Sequence, residues 1–145
     1  MKLLVDADGC PVTELCIREG KTRGAEVVLF CDTAHVMERE GARTVTVEKG
    51  ADSADFALVN HVCRGDIVVT QDYGLAAMCL SRGAIPIRQD GLIYDADNID
   101  ALLMARHTAR KIRRGGGRLK GPKKRTEAED EAFLAALRAV MDQRL

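Results

Sequence analysis

Asp6 and Asp8 stand one residue apart behind an apolar run in "LLVDADGCPV", residues 3–12. Asp52 and Asp55 follow in "EKGADSAD", and Asp72 closes "IVVTQD". Carboxylates gathered in one place repel, by roughly 4 kcal/mol for unit charges about 4 Å apart at an effective dielectric near 20. Such a cluster raises carboxyl pKa values or recruits cations. An oxygen-rich ligand set suits Mg²⁺ or Mn²⁺. One or two such ions let carboxylates activate water and stabilise an attacked phosphate. Each acid also has an ordinary structural reading. Asp52 is a natural helix N-cap, Asp8-Gly9 a natural turn, and Asp66 a turn before a strand. The chemistry therefore depends on whether separate segments bring their acids to one place.

The elements that would do so alternate along the chain. Apolar, β-branched runs predict strands at Leu3–Asp6, Glu26–Phe30, Thr44–Glu48, Asp66–Thr70 and Ala84–Ile87. Helical patterns cover roughly 11–22, 34–40, 52–64, 74–82, 98–113 and 127–143. Alternation of this kind, with continuous apolar strands, predicts a three-layer α/β/α domain around a mainly parallel central sheet. Active sites in such sheets lie outside the carboxyl ends of the strands. Asp6 and Asp8 follow the first strand, Asp52 and Asp55 open the helix after the third, and Asp72 follows the fourth. An exit from the strand near Ala7, with Gly9 in the turn, would re-aim Asp8, and Pro11 suits the first position of the next helix. In the helix from 52, Phe56, Val59 and Val62/Cys63 are expected to form the buried stripe.

The 145 residues predict one domain over 1–145. The formal net charge is zero, yet residues 106–125 contain ten Lys and Arg and no acid. Within that segment, "RRGGGRLKGPKKR" at 113–125 cannot sustain a helix and reads as a basic loop. Thr126 and Glu129 predict a capping box for the last helix. Phe133, Leu134, Leu137, Val140 and Met141 give that helix an apolar face, to dock on its own domain or be exchanged between subunits. Arg106, Arg110, Arg113, Arg114, Arg118, Lys120, Lys123, Lys124 and Arg125 could meet a polyanion in salt-sensitive contact. No apolar run is long enough for a membrane span, and Asp6 interrupts any signal-peptide pattern, so a cytoplasmic location is expected. The five cysteines lack a CxxC or zinc-finger spacing. Cys16, Cys63 and Cys79 fall in apolar helical patterns, where a reduced thiol packs as a small hydrophobe.

The segments "VDADGCPV", "GADSADFALV", "GDIVVTQDYGLAAMCLSRGA" and "GGGRLKGP" resemble, in this order, the YaiI/YqxD family of small bacterial proteins, which belongs among the PIN-like domains. The resemblance covers nearly the whole chain. It implies a PIN-like α/β/α fold and a Mg²⁺- or Mn²⁺-dependent nuclease acting on RNA or DNA phosphodiesters, with RNA favoured. Asp6, Asp55 and Asp72 match the catalytic, metal-holding acids, and Thr70 is the neighbour of Asp72 in its Thr-x-Asp motif. Asp8 and Asp52 belong to the family's own motifs and could add ligands. Many PIN domains carry a further Glu between the first acidic motifs. Glu14, Glu38 and Glu40 are candidates, and none sits in a matching motif. Two other functions compete. "LLVDADG" also resembles the opening of haloacid-dehalogenase-type phosphatases, in which Asp6 would be the nucleophile and Asp8 the acid/base. That chemistry needs a downstream lysine, for which Lys49 is the only mid-chain choice. The third is a non-catalytic module that binds metal and RNA.

Overall fold

The computed structural model describes residues 1–32, 38–48, 53–116 and 124–144, without the side chains of Ser53, Arg113 and Arg144. Its strands are β1 (Lys2–Asp6), β2 (Glu26–Asp32), β3 (Arg43–Val47), β4 (Ile67–Val69) and β5 (Ile85–Ile87). Its helices are α1 (Thr13–Arg23), α2 (Ser53–His61), α3 (Tyr73–Ser81), α4 (Ile99–Arg114) and α5 (Glu127–Arg144). All strand pairs are parallel, in the order β3-β2-β1-β4-β5. This is the expected α/β/α arrangement. The order reverses between β1 and β4, and a crevice opens at such a switch point beyond the carboxyl ends of the strands.

Alternation along the strands divides the core between the two faces. Leu3 and Val5 of β1 pack with Val27, Leu29, Ile67 and Val69 beneath α1 and α5. Leu4, Val28, Phe30 and Val68 face Leu58, Val59 and Val62, and Leu75 and Cys79 of α3. Phe133, Leu137, Val140 and Met141 are buried in the first cluster, so α5 docks on the sheet of its own chain. Its start carries the expected capping box: Thr126 N donates to Glu129 Oε1 at 3.2 Å and Glu129 N to Thr126 Oγ1 at 3.3 Å. A third cluster of Ala76, Tyr94 and Ile99, with Leu102 and Leu103 against it, fixes α4 beside α3.

Several expectations are corrected. The helix expected at 11–22 begins at Thr13, because Cys10 N bonds back to Ala7 O in a turn and Val12 takes the N-cap. Of the helix expected at 34–40, residues 34–37 lie outside the described residues and 38–40 are not helical. There, Arg39 is held by Glu14 at 2.7 Å and Ala42 N turns back to Arg39 O. Phe56 is 58% exposed rather than buried, because the buried stripe runs through Leu58 and Val59 of α2 and Val62 just past its end. Cys63 lies past the end of α2 and is exposed, its backbone N–H captured by Asp66. Asp66 is no simple turn residue. It is 3% exposed and accepts hydrogen bonds from Lys2 N at 2.9 Å and Cys63 N at 2.8 Å.

Candidate acid site at the switch point

β1 ends at Asp6, and Gly9 takes a φ of +69° in the turn that follows, a conformation favouring glycine. That turn brings Asp8 to the same side as Asp6. The two line one cavity of about 500 Å³ with Thr70, Gln71, Asp72, Gln89 and Arg106. Asp8 Oδ2 accepts from Asp32 N at 3.2 Å, which ties this turn to the carboxyl end of β2. On the β4 side, Thr70 Oγ1 donates to Asp6 Oδ2 at 2.8 Å while accepting from Asp72 N at 3.0 Å. The backbone N–H of Asp72 must be the donor in that second bond. The hydroxyl proton of Thr70 is thereby directed to Asp6, so Thr70 joins the two strand ends.

Asp72 also caps α3: its Oδ1 accepts from Gly74 N at 2.9 Å and Leu75 N at 3.2 Å. The same oxygen receives Arg106 Nη1 at 3.2 Å. Gly74 permits this approach, since a Cβ there would stand 3.2 Å from Arg106 Nη1. Arg106 reaches the site from α4, 34 residues along the chain. A second cavity of about 180 Å³ adjoins the first, sharing Asp72 and Arg106 with it, and is also lined by Asp55. Asp55 lies on the face of α2 that carries Val59 at i+4, a line that Val62 continues at i+7 just past the helix end. Asp6, Asp8 and Asp72 thus share a cavity, and Asp55 stands in the next one. Asp52 lies outside the described residues.

Burial pushes the Asp6 carboxyl up to about 6, with the Thr70 hydrogen bond opposing and the charges of Asp72 and Asp8 adding to the rise. Burial also raises the Cys10 thiol, so Cys10 is a protonated wall of the cavity. In kind, three carboxylates around one cavity suit a hard divalent ion. Among the described residues, however, no group of three or more His, Cys, Asp and Glu is drawn close enough to hold one. Two backbone amides and Arg106 share the facing oxygen of Asp72.

The basic residues divide. Arg110 and Arg114 are exposed on α4 and, with His107 and Lys111, line a separate surface cavity. Lys124 is exposed. Arg125 is tied into the fold, donating to Asp130 Oδ1 at 2.7 Å and Gln89 O at 2.8 Å. Arg118, Lys120 and Lys123 lie outside the described residues, as does the side chain of Arg113. Of the three extra glutamates, Glu14 is paired with Arg39, and none of Glu14, Glu38 and Glu40 lines either acid cavity. In the sequence Arg106 reads as one charge of the basic run, and Gln71 and Gln89 carry no signal. The one signal for Arg106 was its place near the start of that run, one turn beyond Leu102 and Leu103, which hold α4 against α3.

A family model described as "Uncharacterized BCR, YaiI/YqxD family" matches residues 4–143. The chain is 56% identical over 133 residues to a UPF0178 protein of Exiguobacterium sibiricum, covering 92% of this chain and 91% of the relative. It is 48% identical over 143 residues to one of Clostridium acetobutylicum, covering 97% of each. A third, of Ruminiclostridium cellulolyticum, is 50% identical over 137 residues, covering 94% of this chain and 90% of the relative.

Proposed function

The chain belongs to the YaiI/YqxD family, and from that premise we propose that it is a Mg²⁺- or Mn²⁺-dependent nuclease, cutting phosphodiesters of RNA in preference to DNA. The observation that carries this reading is the convergence of Asp6, Asp8 and Asp72 on one cavity at the switch point, with Arg106 at its junction with the Asp55 cavity. Asp6, Asp8 and Asp72, which this structure does not bring close enough to hold an ion together, would be the acids that an ion draws in, with Asp55 and Asp52 completing or tuning the set. A bound divalent ion would supply water activation and charge for the attacked phosphate. The chain's own part is positioning. Thr70 orients Asp6, the α3 cap fixes Asp72, and Arg106 provides a guanidinium suited to a phosphate oxygen. Arg110 and Arg114 would meet flanking phosphates. Arginine rather than lysine beside the acids favours this reading over a phosphatase with Asp6 as nucleophile, since no lysine is among the described residues lining the cavity.

The Arg106–Asp72 ion pair favours a second reading, in which an already balanced site binds nucleic acid without cutting it. Cleavage of end-labelled single-stranded RNA in Mn²⁺ separates the two. Wild type should cut, EDTA should stop it, and Asp72→Asn should lose about a hundredfold or more in rate. Asparagine is as good an N-cap as aspartate, so α3 stays capped and the loss reports the carboxylate. Salt-sensitive binding without cleavage by wild type would leave the binding module, and full activity in Asp72→Asn would remove Asp72 from the site.

A further inference from the structure

The smaller cavity has a chemistry that its acids do not explain. Phe56 is 58% exposed and Met78 37% exposed, and they line it on α2 and α3 with buried Leu75 beneath and Asp55, Asp72 and Arg106 around them. Large apolar side chains left in water beside a charged cluster want a ligand that is flat and apolar on its face and polar at its edge. At about 180 Å³ the space is well below the roughly 300 Å³ at which drug-sized pockets begin, and it suits a single ring system. A nucleobase fits that description, because every base offers a π-face whatever its sequence.

Arg106 fixes what should adjoin the ring. Its guanidinium lines both cavities, so a phosphate on Arg106 would lie between the acids and the Phe56 recess. From Arg106 a row of cations continues along α4 through Arg110 to Arg114. A hollow beside Tyr73 joins Arg106 to Arg110, and a second hollow joins Arg110 to Arg114. Four residues of helix advance about 6 Å, a step close to that between neighbouring phosphates of an extended strand. The cations, which Lys111 joins at the second hollow, form one stripe along one helix, and a stripe of that kind follows one backbone, which favours a single strand over a duplex.

We infer that the recess formed by Phe56, Met78 and Leu75 is a base-binding subsite, taking the face of one nucleobase of single-stranded nucleic acid while Arg106 holds the phosphate beside it. This rests on the nucleic-acid reading of the acid site but not on cleavage. Its ligand contacts require no metal.

The test is therefore made in EDTA, by fluorescence anisotropy with two labelled probes of equal length. One is a single-stranded RNA, and the other is an abasic strand with the same number of phosphates. Phe56→Ala should weaken RNA binding about tenfold and leave the abasic strand unchanged. Phe56→Trp should restore RNA binding, and Arg106→Gln should weaken both probes. Because Phe56 is exposed, an unaltered melting temperature in Phe56→Ala is expected and confirms folding. The inference fails if wild type binds neither probe, or if Phe56→Ala affects both probes equally or neither. It also fails if Phe56→Ala changes self-association in sedimentation, which would show that a second copy of the chain covers the patch. Base-dependent binding without Mn²⁺-dependent cleavage would sink the nuclease and keep the subsite. Cleavage by wild type alongside unaltered RNA binding in Phe56→Ala would do the reverse.

Discussion

The two ends of the β1–β4 pair treat acid side chains in opposite ways. At the amino end, Asp66 is 3% exposed and meets three donors: Lys2 N, Cys63 N and, at 3.4 Å, Lys2 Nζ. At the carboxyl end, Asp6, Asp8 and Asp72 share a cavity with one guanidinium. Hydrogen bonds to the charged form of a carboxylate offset the cost of burying it. At Asp6 burial outweighs the single Thr70 hydrogen bond and raises the carboxyl pKa, and the charges of Asp72 and Asp8 add to the rise. One end spends its acid on holding the strands in register. The other leaves Asp6 with one donor for its burial, where a cation or a phosphate-bearing ligand could enter, and a perturbed acid in a cleft is a functional-site candidate.

Removing the matched acid should have the larger effect on stability. Asp66→Ala leaves two backbone amides and the Lys2 ammonium without their shared acceptor, and should cost about 3 kcal/mol in urea unfolding at pH 7. A loss under about 1 kcal/mol would break the contrast at its amino end. Asp6→Asn should act in the opposite direction. The Asp6 pKa is about 6 in the fold against 3.8 for an ordinary aspartate, so between those values the folded state binds more protons than the unfolded state. Stability therefore falls as pH rises through that window, and the cost is present in full above it. Asp6→Asn should stabilise the protein by about 2 kcal/mol at pH 8 and by nothing below about pH 4. It should also lose Mn²⁺-dependent cleavage. Thermal melts across pH check the first point, and an Asp6→Asn variant less stable than wild type at pH 8 would show that Asp6 belongs with the matched acids.

Much of this edge was legible in the sequence. "LLVD" and "IVVT" are continuous apolar runs, and only a sheet covered on both faces buries such strands. Acids just past their ends must then stand at the carboxyl edge. What escaped the reading was carried by contacts between distant segments. Asp66 looked like a turn residue because its partner Lys2 is 64 residues away. Arg106 looked like one charge in a run, and only the packing of Leu102 and Leu103 against the α3 region turns α4 so that this arginine meets Asp72. Phe56 had helical spacing with Val59 and Val62, yet periodicity cannot tell the centre of a buried stripe from its margin. The cap at Asp72 is legible as an acid two residues before Gly74, and its place among the other acids suggests metal as well.

The smallest expected effect tests whether matched acids obey the same rule away from the sheet edges. Glu19, on α1 and 6% exposed, accepts from Arg138 Nη2 of α5 at 2.7 Å and lies 3.6 Å from Arg23 Nε. The Arg138 hydrogen bond holds its carboxyl below the usual glutamate range, against the opposing influence of burial. A lowered carboxyl pKa gives stability that is present above the unfolded value of 4.5 and is lost as pH falls through the folded one. Glu19→Gln should therefore lower the melting temperature slightly at pH 7, and the gap from wild type should close below about pH 4. Arg138 is largely exposed, and exposed ion pairs contribute little, so the shift should be smaller than that of Asp66→Ala. Its direction matters more than its size. Neutralising Glu19 should destabilise and neutralising Asp6 should stabilise at the same pH. If both variants moved the same way at pH 8, the donors around each acid would not set its energetics, and the contrast between Glu19 and Asp6 would have no thermodynamic meaning.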